Sequence, residues 1–221
     1  VTTSSARRPL RADAERNRQA IVRAASRVFA EEGTGVTLEH IAHVAGVGIG
    51  TIYRRFPTID ALVQVVLDER ITRYADRSEL AAEQALTRPW EAFRDYVLYI
   101  LEQQVTDLAF SEVILDSSTA TELFRQEIDR AFAATLLLVE RAQDAGALRP
   151  DFHHSDIYAL LHANAGLIRG AGPGGRQAWK RFAAYALQSF QHSGAEALPA
   201  PPTEWKLDRP GCGGGSESAE G

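Results

Sequence analysis

The run TLEHIAHVAGVGIGTIYRRF, residues 37–56, constrains the fold more than any other part of the chain. Leu38, Ile41, Ala42 and Ala45 recur at the spacing of one helical face, and Val47, Ile52 and Phe56 are placed to close over it. Thr37 stands where an N-cap is needed, and Glu39 puts a carboxylate in the first turn, where it offsets the helix dipole. Gly46 falls where the first short helix must turn sharply, a place suited to positive φ. Ala42 is small enough to let two helices cross closely. Two short helices joined by a glycine turn make a helix-turn-helix, whose second member can enter a major groove.

The remainder also reads as helix. Residues 13–32 place Ile21, Ala24, Ala25, Val28 and Phe29 at helical spacing, with Gly33 and Gly35 ending the element, so this helix supplies a third wall to the small core. Further helices are expected over 60–86, 90–105, a short stretch to 116, 119–146, 155–169 and 176–192. Thr119 and Glu122 have capping-box spacing. No segment alternates like a strand and no repeat is visible, so the predicted class is all-α. Residues 1–13 read as a flexible basic arm, 14–73 as the helix-turn-helix head and 74–193 as a helical body. Residues 194–221, rich in Pro, Gly and Ser, read as a disordered tail.

Charge separates head from body. The chain of 221 residues carries a formal net charge of −5, which by itself argues against a nucleic-acid partner. Yet residues 1–57 hold nine arginines against five acidic residues, leaving an acidic remainder. A basic head on an acidic body suits a protein that meets phosphate at one end only. No stretch reaches the ~20 apolar residues of a membrane span, and residues 1–10 lack the apolar run of a secretory signal. The single cysteine, Cys212, excludes an internal disulfide and a cysteine-based zinc site. A cytoplasmic location is the expectation.

With these residues in place, 16–67 resembles the DNA-binding domain of the TetR family of transcriptional regulators. The similarity lies in FAEEG at the end of the first helix, in IAHVAGV, and above all in GTIYRRFPTIDAL, residues 50–62. It covers about a quarter of the chain, and its motif is specific. The resemblance implies a homodimer that binds a double-stranded DNA operator and is released or engaged by a small-molecule effector, with repression the default. It places Thr37 on a backbone phosphate. Gly48, Ile49, Gly50, Thr51 and Tyr53 lie along the groove, with Arg54 and Arg55 gripping phosphate or a guanine edge. Arg7, Arg8 and Arg11 could reach backbone or minor groove from the arm. Two departures stand out: the family commonly has lysine where this chain has Ile49 and Ile59. Arg54 and Arg55 are the candidate replacements, and Ile49 could instead read a thymine methyl.

In the body, two final helices resemble those that form a four-helix dimer interface in such regulators. The candidates are Ile157, Leu160, Leu161 and Ile168 with Trp179, Phe182, Ala186 and Phe190; completion of the monomer core is the alternative. An effector cavity between the middle helices would be lined by Trp90, Phe93, Tyr96, Tyr99, Gln103, Phe110, Phe124, Ile128, His162 and Asn164, most of which also suit ordinary packing. Residues 170–175 formally match GxGxxG, but a helix rather than a strand leads in, so a turn is expected there. His153 and His154 beside Asp151 and Asp156 lack ligand-spaced partners elsewhere. No nucleophile or carboxylate pair has a catalytic context, so no enzyme activity, cofactor or metal is expected. A helical interaction module that has lost DNA affinity is the competing function, supported by the two missing lysines.

Overall fold

The computed structural model describes residues 7–115, 122–170, 172–191 and 196–201. Nine helices follow in order among them: α1 (Arg7–Glu32), α2 (Leu38–Ala45), α3 (Ile49–Arg55), α4 (Ile59–Gln84), α5 (Pro89–Thr106), α6 (Leu108–Leu115), α7 (Arg125–Asp144), α8 (His154–Gly170) and α9 (Gly172–Phe190). The expected capping box at Thr119 lies outside the described residues.

Local chemistry sets the boundaries of the head. The Thr37 hydroxyl accepts from the His40 N–H at 3.2 Å and starts α2. Gly46, at φ 67°, ends it in the left-handed region, where a side chain would be strained. The Val47 N–H then donates to the Ala42 carbonyl at 3.0 Å, closing the turn. Thr58 repeats the capping device for α4, accepting from the Ala61 N–H. Ile21, Ala25 and Phe29 of α1, Ile41 of α2, Ile52 of α3 and Leu62 of α4 are fully buried together. Each large side chain among them contributes about 1.5–3 kcal/mol by leaving water.

The body is a bundle in which α4 runs alongside α7, α5 crosses between them and α8, and α8 packs on α9. Phe93, Phe152 and Phe190 form an edge-to-face triad with centroids 4.9–6.4 Å apart. Polar side chains inside are mostly paired. The Tyr96 hydroxyl sits 2.8 Å from Thr135 Oγ1 and accepts from Ser78, while the Asn164 amide donates to Gln104 Oε1 at 3.0 Å.

Three boundaries depart from the sequence reading. Helix α1 begins at Arg7 rather than near residue 13, which is compatible with Pro9 because proline is tolerated in a first turn. Helix α9 likewise begins at Gly172, so Gly172–Gly175 are helical and not a turn, with Pro173 in the opening turn. In the expected tail, residues 196–201 lie on the body. Arg149, almost buried, donates to the Glu196 and Ser189 carbonyls and to Asp151, whose carboxylate also accepts from the Leu198 N–H at 2.8 Å.

The head is joined to the body through both ends of α6. Glu112 accepts from the Thr34 N–H (2.7 Å) and hydroxyl (2.9 Å). Gly33 has φ +82°, which favours glycine, and a Cβ there would push the Glu112 carboxylate off its contact with Thr34. At the other end Arg70 of α4 bridges Asp107 and the Ser26 hydroxyl of α1.

Candidate nucleic-acid interface

Helix α3 divides cleanly into two faces. Ile52 is fully buried and Phe56 nearly so, which pins the helix to the head core. Ile49 and Tyr53, one turn apart, are 57% and 43% exposed, and Gly50 and Arg54 form a parallel exposed stripe. Gly48, Arg55 and Thr37 are exposed as well, and Thr51 is half-buried. All eight sequence-predicted positions are therefore at least partly open to solvent.

Electrostatics on this surface favour phosphate. Arg54 donates to Thr51 Oγ1 at 3.3 Å, and neither Arg54 nor Arg55 has a carboxylate within ion-pair distance among the described residues. Two unneutralised guanidinium forks on a helix with a bare, glycine-bordered N-terminus present both charge and directed N–H donors.

One residue on this surface was not anticipated as a participant. Glu39 of α2 accepts the Tyr53 hydroxyl hydrogen. That bond holds the Glu39 carboxyl below its usual range and pushes the Tyr53 phenol up, because each ionisation state depends on the shared proton. The tyrosine hydroxyl expected to meet phosphate is thus held by a carboxylate in the free protein. Sequence spacing gave no sign of it, since the pair is fourteen residues apart and meets only through the α2–α3 angle.

The residues expected to line one effector cavity are not gathered in one place. Phe93, Tyr96, Phe110, Phe124, Ile128 and Asn164 are buried in packing. Phe110, for example, meets Tyr74 edge-on at 5.6 Å. Gln103 is half-buried, and His162 is exposed on α8 and so faces away from the bundle interior. Trp90 and Tyr99 are the two that share an open groove, between α5 and α9. Tyr99 is half-buried there, and desolvation pushes its phenol up.

The residues expected at a dimer interface are packed largely within their own subunit. Ile157, Leu160, Leu161, Ile168 and Trp179 are buried within their own subunit, and Phe182, Ala186 and Phe190 are half-buried against the same core. Their apolar stripe completes the monomer. The sides that α8 and α9 turn to solvent carry His162, Ala163 and Gly166, and Tyr185, which is 60% exposed.

An all-helical fold with a three-helix head, a glycine turn and an arginine-bearing second helix defines a helix-turn-helix regulator of transcription. Residues 21–66 match the family model of bacterial regulatory proteins, tetR family, and residues 88–187 match that of the C-terminal domain of SbtR-like transcriptional regulators. The chain belongs to the TetR family and is a DNA-binding transcriptional regulator, not an enzyme. No curated protein sequence matches it.

Solved structures agree with this fold. The chain is similar to the TetR transcriptional regulator SCO0520 from Streptomyces coelicolor, at 28% identity over 79% of this chain and 98% of that one (TM-score 0.52). It shares its fold with SmeT, the repressor of the Stenotrophomonas maltophilia multidrug efflux pump SmeDEF (22% identity, 82% and 97% covered, TM-score 0.55). The same holds for the fatty acid degradation regulator FadR from Bacillus halodurans (18%, 79% and 100%, TM-score 0.55).

Proposed function

We propose that this regulator is an effector-responsive repressor that binds a palindromic operator as a homodimer in the cytoplasm. The observation that carries the reading is the exposed α3 stripe, on which Ile49, Tyr53, Arg54 and Arg55 are open to solvent and both arginines lack acidic partners among the described residues. One head offers few phosphate contacts, whereas two heads spaced about 34 Å apart would read successive major-groove faces and double them. The outward faces of α8 and α9, with His162, Ala163, Gly166 and Tyr185, suit the contact between subunits, since small residues admit close helix approach.

Release by an effector requires that the ligand prefer one head arrangement over another. The α6 joint supports such coupling, because Glu112 touches the head at Thr34 while its neighbour Ser111 accepts from the buried Gln104 amide of the body. Selection of bound sequences from random duplex DNA tests the proposal. A palindrome with half-sites one helical turn apart is expected, and a dimer neutralising about eight phosphates should give a log–log salt slope near −7. Recovery of single half-sites by a monomeric protein would refute the dimeric reading.

A further inference from the structure

The groove between α5 and α9, flanked by α4, encloses about 830 Å3, within the range of small-molecule sites. Trp90 and Tyr99 of α5 and Trp179 of α9 line it together, so its walls offer flat apolar surface. Charge then sorts the ligands it can hold. Of the cations at its edge, Arg94 is paired with Asp95 at 2.8 Å. Arg77 of α4 and Lys180 of α9 have no carboxylate within ion-pair distance among the described residues.

Each of those two cations lies instead over a ring of the wall. Arg77 is 5.3 Å from the Tyr99 centroid and Lys180 is 5.5 Å from that of Trp179. Ring faces engaged in this way are poor receptors for a cationic ligand, which would have to displace the protein's own charges. An anion meets no such competition. It gains charge-assisted hydrogen bonds from donors already held at the groove, against a single unpaired lining carboxylate, Glu102.

We propose that this groove binds a planar aromatic anion of the aryl-carboxylate class and is the effector site of the regulator. The carboxylate draws Arg77 and Lys180 off Tyr99 and Trp179, and the ligand ring takes their place against those faces, beside Trp90. The second half of the proposal rests on the effector-responsive reading above. Arg77 lies two turns along α4 from Arg70, which ties α4 to Ser26 of the head, so drawing Arg77 into the groove acts on the helix that carries the head.

The test uses the full chain, 2-naphthoate as probe and calorimetric titration. 2-Naphthoate binds, and neutral 2-naphthamide binds at least tenfold more weakly. Arg77→Gln and Lys180→Gln each weaken the naphthoate about fivefold, and Ala184→Trp, which fills the groove from an exposed position on α9, abolishes binding. Circular dichroism checks that each variant is folded, and Lys180→Gln carries the test if Ala184→Trp is not. Equal affinity for the amide, tighter binding of 2-naphthylmethylammonium, or unchanged affinity in both glutamine variants overturns the site. Saturating naphthoate changes operator affinity in the wild type, and in Lys180→Gln the same change requires about fivefold more naphthoate; no change in the wild type overturns the effector assignment alone. Failure of the DNA-binding reading shows separately, as absence of operator binding before any naphthoate is added.

Discussion

The head and the body bury similar apolar side chains, but they place their polar groups in opposite ways. In the head, the arginines and Tyr53 of α3 stay on the surface beneath which Ile41, Ile52 and Phe29 form a dry core. In the body, polar groups such as Ser78, Gln104, Thr135 and Asn164 are buried and bonded from helix to helix. A dry core gives the head one rigid shape to present. A core threaded with hydrogen bonds is held to particular pairings, because a buried donor or acceptor left unpaired costs about 1–3 kcal/mol.

The largest expected effect comes from breaking the dry side of that contrast. Ile41→Asp puts an unpaired carboxylate into the head core and should cost several kcal/mol, enough to unfold it. Thermal melts should show the loss of head helix, and operator binding should vanish. Next, Arg54→Ala and Tyr53→Ala should each weaken operator binding about tenfold while leaving the melting curve of the body unchanged. Wild-type affinity in both variants, measured by fluorescence anisotropy, would mean that α3 does not lie in the groove.

A smaller effect, of opposite sign, is expected at Glu39. Glu39→Gln removes a negative charge beside α3 and loosens the hold on the Tyr53 hydroxyl, so operator affinity should rise about threefold. Most of that gain should disappear in a Tyr53→Phe background; full additivity of the two changes would show that Glu39 acts by charge alone.

The smallest is a pH effect in the body. Arg149 beside Asp151 lowers that carboxyl from 3.8 to about 2. Because the folded state holds its proton less tightly than the unfolded one, the pair stabilises the fold above pH 3.8, and the contribution fades as pH falls towards 2. Urea titrations across this window should show Asp151→Asn losing the extra acid sensitivity of the wild type.

The same contrast explains what could be read from sequence. The cap at Thr37 and the turn at Gly46 act on residues within one helical turn of themselves, so the helix-turn-helix was legible, whereas the Glu39–Tyr53 bond across it was not. The Glu112–Thr34 contact spans 78 positions and leaves no local trace. The apolar stripes of α8 and α9 were visible, but a stripe does not say whether it faces its own bundle or a second copy; Leu160 and Trp179 turn out to face inward. Trp90 and Tyr99 stood out as aromatic residues, but that they share an open groove with Trp179 depends on how α5 packs on α9, about 80 positions away. Residues 196–201 read as loose chain because the Arg149 contacts that fasten them come from 47 positions away.

Helix α4 passes without a break from the capped start at Thr58 to Gln84, well inside the body. At about 1.5 Å per residue its 26 residues make a rod about 39 Å long. Pivoting such a rod by roughly 5° at one end sweeps the other through about 3 Å, the span over which a hydrogen bond is made or lost. Mechanical gain is therefore built into the length of one element, and a slight adjustment at its body end is magnified at the capped end beside the head.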